Sequence, residues 1–211
     1  MSNILESELL PITADLSAKN RLSIGGCDVR DLVQRYGSPL YIYDEATLRG
    51  MCRDFVDSFT NLYSRTQIEY SSKAFANPSI AKIIDEEGLS MDVVTGGELA
   101  VAIAADFPPE RLNFHGNNKG REELAEAVRY GIGNITVDSF AESDLLSEVA
   151  EELGVRQNIM LRLSPSIDPH THLLTTTGSL DSKFGFSIET GDAEIAIEKA
   201  IAKPVSYTHL T

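Results

Sequence analysis

EYSSKAFANPSIAKIIDEEG, residues 69–88, decides the fold. It opens on a short strand-like run that ends at Ser72 and Lys73 and passes into a helix with local signals at both ends. Asn77 can cap, Pro78 suits the first helical position, Ile80, Ile83 and Ile84 fall on one face, and Gly88 can end the helix. A strand is therefore followed directly by a helix, and the question is whether the unit repeats.

It does. Strand SMDVV (90–94) precedes the helical GELAVAIAADF, strand RLNFH (111–115) precedes REELAEAVRYG, and strand NITVD (134–138) precedes a helix from Ala141 to Leu153, capped by Asp138 or Ser139 and stopped at Gly154. NIMLRLS (158–164) reads as a fifth strand. Strand starts recur roughly every 21 to 24 residues, a spacing that suits βα units with right-handed crossovers and a parallel sheet. The sheet could close as a (β/α)₈ barrel or stay open and doubly wound. No Gly-x-Gly-x-x-Gly follows the first strand, which removes the main support for the dinucleotide form of the open sheet and favours the barrel.

Composition bounds the functional classes. With 211 residues, 42% of them hydrophobic, the chain can bury a sizeable core, and no apolar run is long enough to cross a bilayer. The formal charge of −14 is spread along the chain and argues against nucleic acid or an anionic membrane as partner. Cys27 and Cys52 have no metal-ligand spacing, and the opening MSNILESELL, with Glu6 and Glu8, lacks the features of a signal or transit peptide. A reducing cytoplasm is the expected location.

In either architecture chemistry collects at the carboxyl ends of the strands. Those ends carry Ser72 and Lys73, Asp92 and Thr95, His115 and Asn117, Asp138 and Ser139, and Arg162 and Ser164. Asp138 with Ser139 reads first as a helix cap. Lys73 stands apart, because a desolvated lysine at a barrel mouth has its pKa lowered and its amine made available for a Schiff base. On residue chemistry alone a class I aldolase and a pyridoxal phosphate enzyme both fit.

The stretches IGGCDVRDLVQRYGSPLYIYDEATLR, YSSKAFANPSIAKIIDEEG, MDVVTGGELAVAIAADFPPERLNFHGNNK, ITVDSFAE and DPHTHLLTTTGSLDSKFGFSIE closely resemble the bacterial diaminopimelate decarboxylase family, in the family's order, from about residue 22 to about 203. The resemblance implies a fold-type III pyridoxal phosphate decarboxylase with an alanine-racemase-like barrel. On that basis residues 1–45 contribute to a β domain and residues 46–203 form an incomplete barrel. The implied reaction is decarboxylation of meso-diaminopimelate to L-lysine, by a homodimer acting on a small amino acid. Another basic amino-acid decarboxylase (carboxynorspermidine, ornithine or arginine) and a non-catalytic binding homologue are the alternatives.

Under the resemblance Lys73 bonds to pyridoxal phosphate, while Asp92 and Arg162 line the cofactor pocket and His115 lies near it. For Arg162 a salt bridge inside the barrel mouth is the competing role. Gly96 and Gly97 could offer N–H groups to an anion but read better as close packing. SIDPHTHLLTTTGSLDSKFG (166–185) becomes the active-site loop, with His172 in it and Lys183 closing near the pocket. His170 and His172 have no third ligand beside them, so no metal is expected. Cys27 is expected to be a buried small side chain. The family's chains are roughly double this length, so an N-terminal fragment is expected, inactive alone and poorly folded, with open sheet edges and an uncovered apolar interior. Residues 204–211, within PVSYTHLT, read as a non-native tail that continues no strand.

Overall fold

The computed structural model describes residues 9–17, 20–165, 184–202 and 206–210. The expectations for His170, His172 and Lys183 lie outside the described residues. The chain divides into two compact units, Met1–Ile68 and Glu69–Thr211.

The first unit carries three short antiparallel strands, β1 (Asp15–Leu16), β2 (Leu22–Ile24) and β3 (Cys27–Asp28), then helices α1 (Val29–Tyr36) and α2 (Glu45–Thr60). Each helix starts on an aspartate: Asp28 accepts from Arg30 N, and Asp44 from Thr47 N. The buried Asp44 also receives a 2.8 Å hydrogen bond from Thr13 Oγ1, whose oxygen in turn accepts from Gly25 N. Cys27 is exposed, against the expectation of a buried side chain. Strand β3 is two residues long and its neighbours leave the thiol uncovered.

The second unit is the repeating βα array. Strands β4 (Glu69–Ser71), β5 (Ser90–Val93), β6 (Leu112–Phe114), β7 (Asn134–Val137) and β8 (Asn158–Leu161) run parallel, each hydrogen-bonded to the next. Between them lie α3 (Pro78–Glu86), α4 (Gly96–Ala104), α5 (Arg121–Tyr130) and α6 (Phe140–Leu153). The result is an incomplete (β/α) barrel. The helix starts follow the sequence signals: Asn77 accepts from Ile80 N at 2.9 Å, and Ser139, not Asp138, caps α6 by accepting from Glu142 N.

Two departures concern the last strands. NIMLRLS breaks at Arg162 into β8 and the two-residue β9 (Leu163–Ser164), which pairs in parallel with β10 (Phe186–Ser187). The break arises because Arg162 N still bonds to Val137 O while its carbonyl accepts from Phe186 N, so the chain changes partner at that residue. After α7 (Asp192–Ala202), β11 (Ser206–Leu210) runs parallel to β8, although no strand is expected there. An otherwise unpaired row of β8 backbone groups supplies the template.

Strand alternation sorts the sheet into two faces. Met91, Val93, Leu112, Phe114, Ile135, Val137, Ile159 and Leu161 are at most 1% exposed and form the core with Leu99, Leu124 and Leu146 of the helices, each such side chain contributing about 1.5–3 kcal/mol on burial. The opposite face carries Ser71, Asp92, Asn113 and Asn134, which stand in one row across four strands. That face is polar except at Met160 of β8, which stands beside Thr136, where an uncovered apolar interior was expected. Elsewhere, strands that read as hydrophobic runs are apolar only at alternate positions.

Candidate active site

The polar face leads to the strand ends, and there the expected residues meet. Lys73 is exposed on the turn that follows β4, against the desolvation expected of it, because the described residues leave the end of that turn uncovered. Asp92 of β5 holds that turn, its two oxygens accepting from Ser71 Oγ (3.3 Å) and from Ser72 N (3.0 Å). From the other side Ser72 Oγ donates to Glu98 Oε2 at 2.6 Å, and the same carboxylate oxygen accepts from Val94 N. Ser72, just before Lys73, is thus gripped by two carboxylates, its backbone N–H by Asp92 of β5 and its hydroxyl by Glu98 in the first turn of α4.

His115 follows β6. Burial lowers its pKa below the usual histidine range; Asp92 opposes this, while the positive charges of Lys119, Arg162 and Lys73 add to it. The imidazole is therefore uncharged at neutral pH. Lys73, Asp92, His115 and Arg162 stand at or just after the carboxyl ends of β4, β5, β6 and β8 of one parallel sheet, and the charges of the other three act on His115; His172 and Lys183, expected with them, lie outside the described residues. Glu69 Oε2 of β4 stands 3.9 Å from His115 Nε2. Burial raises the Glu69 pKa; a hydrogen bond from Asn113 Nδ2 opposes the rise and the nearby Asp92 charge adds to it.

Arg162, at the break after β8, donates from Nη1 to Asp138 Oδ1 at 3.0 Å, and its guanidinium lies 4.4 Å from the centre of the Phe184 ring. The other Asp138 oxygen accepts from Gly185 N at 3.1 Å. Asp138 is buried at 5% exposure, so the residue read as a helix cap is the partner of Arg162. Gly185 has φ +73°, and a Cβ there would sit 2.7 Å from Arg162 O, so only glycine fits this approach. Gly96 N is occupied by Glu123 Oε1, and a Cβ at Gly96 would press on that side chain at 3.2 Å.

Sequence reading missed Glu69, Asn113 and Lys119 as members of this region. For the first two the available signal is the two-residue alternation that sets Glu69 on the face of Ser71 and Asn113 on that of His115.

An aldehyde cofactor with a phosphate and a heteroaromatic ring needs a reachable amine, fixed cations and polar atoms not already engaged. Lys73 and Arg162 meet the first two needs. Among the described residues His115 Nε2, Asn113 Oδ1, Thr136 Oγ1 and Ser164 Oγ are buried with no hydrogen-bond partner, on or beside the polar face. The residues present fit such a group.

Residues 47–205 match the family model for the pyridoxal-dependent decarboxylase, pyridoxal binding domain. The chain is 46% identical over 189 residues to the diaminopimelate decarboxylase of Bacillus methanolicus, covering 90% of this chain and 44% of that protein. It is 45% identical to the enzyme of that name from Bacillus subtilis, again over 90% of this chain and 43% of the relative. Among solved structures, diaminopimelate decarboxylase from M. jannaschii in complex with L-lysine superposes with a TM-score of 0.85 at 32% identity, over 94% of this chain and 46% of the other. The chain thus spans just under half the length of the relatives it matches. The matched segment takes in every strand from β4 to β10 and all four gathered residues, and the chain belongs to the pyridoxal-dependent decarboxylase family.

Proposed function

We propose that this chain is the cofactor-binding barrel segment of a pyridoxal phosphate-dependent decarboxylase that converts meso-diaminopimelate to L-lysine and carbon dioxide. The observation that supports this reading best is the convergence of Lys73, Asp92, His115 and Arg162 on one strand-end site, in a chain 43–46% identical to curated diaminopimelate decarboxylases. Bound pyridoxal phosphate would supply an electron sink for the electrons left when carbon dioxide departs.

The chain's own residues bind and orient. The Lys73 amine would hold the cofactor, with its turn fixed by Asp92 and Glu98. Arg162 presents a guanidinium of which Asp138 takes one N–H, leaving donors for an anionic group of cofactor or substrate. His115, held neutral, offers a hydrogen-bonding edge without adding a further positive charge.

The test is borohydride reduction of the protein with pyridoxal phosphate, followed by peptide mapping. The pyridoxyl group should appear on Lys73 and vanish in Lys73→Ala; a label on another lysine would refute the assignment. The full-length protein should release carbon dioxide from meso-diaminopimelate far faster than from ornithine or arginine, because buried partners for the second ammonium and carboxylate go unpaired with those substrates. Equal turnover of the three would exclude the substrate.

A further inference from the structure

Lys119 belongs to no step of the function just described, yet it is the most enclosed cation at the strand ends. Its side chain is 1% exposed. The ammonium donates to Gly116 O and, at 2.8 Å, to Thr136 O, and stands 2.9 Å from Glu142 Oε1. Its Nζ also lies 5.7 Å from the Phe114 ring centre. It therefore joins three elements: the turn after β6, strand β7 and the first turn of α6.

The turn it holds has little freedom. Gly116 has φ +106°, and a Cβ there would lie 3.0 Å from Val94 O, so the backbone just after His115 packs closely against the residue that follows β5. The far end of the link is equally placed. Glu142 is 6% exposed, its Oε2 accepts from Asp138 N at 3.3 Å, and the Asp138 carboxylate grips Arg162 and Gly185 N. A continuous path of polar contacts runs from the His115–Gly116 turn through Lys119 and Glu142 to Asp138 and Arg162.

We propose that Lys119 is a positioning residue of the cofactor site: its ammonium fixes the His115 turn and, through Glu142 and Asp138, the Arg162 guanidinium in one mutual arrangement. A lysine placed only to fill space would not need two carbonyl acceptors and a carboxylate counter-charge on three elements, whereas a tie between strand ends does. The charge also acts on His115 directly, as one of the three cations that hold its pKa down behind the dominant effect of burial. The other ionisable groups facing His115 are Glu69, Asp92, Arg162 and Lys73. The cofactor part of the proposal rests on the function given above, and the positioning part does not.

The experiment compares the wild-type full chain with Lys119→Met and with Lys119→Met/Glu142→Gln, the second removing both charges so that no unpaired carboxylate is left buried. Three quantities are read: the titration of His115 by NMR, hydrogen exchange of the amides from Gly116 to Lys119, and pyridoxal phosphate binding. In both variants the His115 midpoint should rise and the turn amides lose protection. Pyridoxal phosphate should dissociate roughly ten- to a hundredfold more readily, the range for losing hydrogen bonds to a charged group. A double variant that folds and keeps the wild-type midpoint, turn protection and cofactor affinity would overturn the proposal. Should neither variant fold, the wild type decides: the turn amides must exchange only with global unfolding, and fast local exchange there refutes a fixed turn. Failure of wild-type protein to bind pyridoxal phosphate at Lys73 would instead refute the function and leave the first two readouts to judge the positioning.

Discussion

Replacing Asp138 tests how the site holds its arginine. The carboxylate makes two hydrogen bonds, from Arg162 Nη1 at 3.0 Å and from Gly185 N at 3.1 Å, and its side chain is 3% exposed. A hydrogen bond to a charged partner contributes about 1.5–3 kcal/mol. The Arg162 side chain is 34% exposed, so solvent screening brings its share to about 1 kcal/mol. The Gly185 N–H, accepted by a buried carboxylate, adds about 1–2 kcal/mol. Asp138→Ala should therefore destabilise by about 2–3 kcal/mol, and Asp138→Asn, which keeps one acceptor, by roughly half as much. Urea unfolding of both variants, combined with Arg162→Met in a double-mutant cycle, measures the pair. A coupling of about 1 kcal/mol is expected, accompanied by faster exchange of the Gly185 amide. Coupling under about 0.3 kcal/mol, within the error of additivity, together with an unchanged Gly185 amide would refute the reasoning.

Three further outcomes are open to measurement. Because the folded-state pKa of His115 is depressed, its contribution to stability is present above about pH 6.5, the unfolded value, and is lost as pH falls through the lower folded value; His115→Gln should flatten urea midpoints between those values. Thr136 Oγ1 is buried without a hydrogen-bond partner among the described residues, so Thr136→Val should leave stability unchanged or raise it by about 1 kcal/mol, and a loss above that size would mean the hydroxyl is satisfied. Expressed alone, residues 1–211 should self-associate with concentration, because β4 and β11 end the six-stranded sheet without a partner among the described strands; a concentration-independent monomer in sedimentation would contradict this.

The fold was legible where its signals are local. Asn77, Ser139 and Gly154 act within four residues of the groups they bond, and helix-facing residues recur at fixed periods, so a window of about twenty residues contains each βα unit. The positions of Lys73, Asp92, His115 and Arg162 followed from the same pattern, since strand ends are where a parallel array gathers its loops. What makes the site a site is not local. Asn113 reaches Glu69 across 44 residues, and Asp138 reaches Gly185 across 47. No window spans those separations, and no periodicity encodes which polar atoms on neighbouring strands will face each other. The Asp138–Ser139 pair shows the limit at short range too: either could cap α6, and only the arrival of Arg162 from β8 draws Asp138 away.

The two faces of the sheet explain why so much charge can be held at its ends. One face buries eight large apolar side chains against helices, and that burial carries the stability of the array at about 1.5–3 kcal/mol for each. The other face is then free to be polar. Glu69, Asn113, Thr136 and Asp138 can occupy it, and Asn113 Oδ1 and Thr136 Oγ1 do so with no hydrogen-bond partner among the described residues, an expense a purely structural sheet would shed. Their arrangement is the reverse of random: Asp92 and Glu98 secure the turn before Lys73, Asp138 secures Arg162, and Glu142 secures Lys119. Arg162 and Lys119 each have their own carboxylate, whereas Lys73 has none among the contacts of the described residues. The nearest carboxylates hold Ser71 and Ser72, the two residues before it, instead. A lysine so placed suits the carbonyl partner proposed for it above.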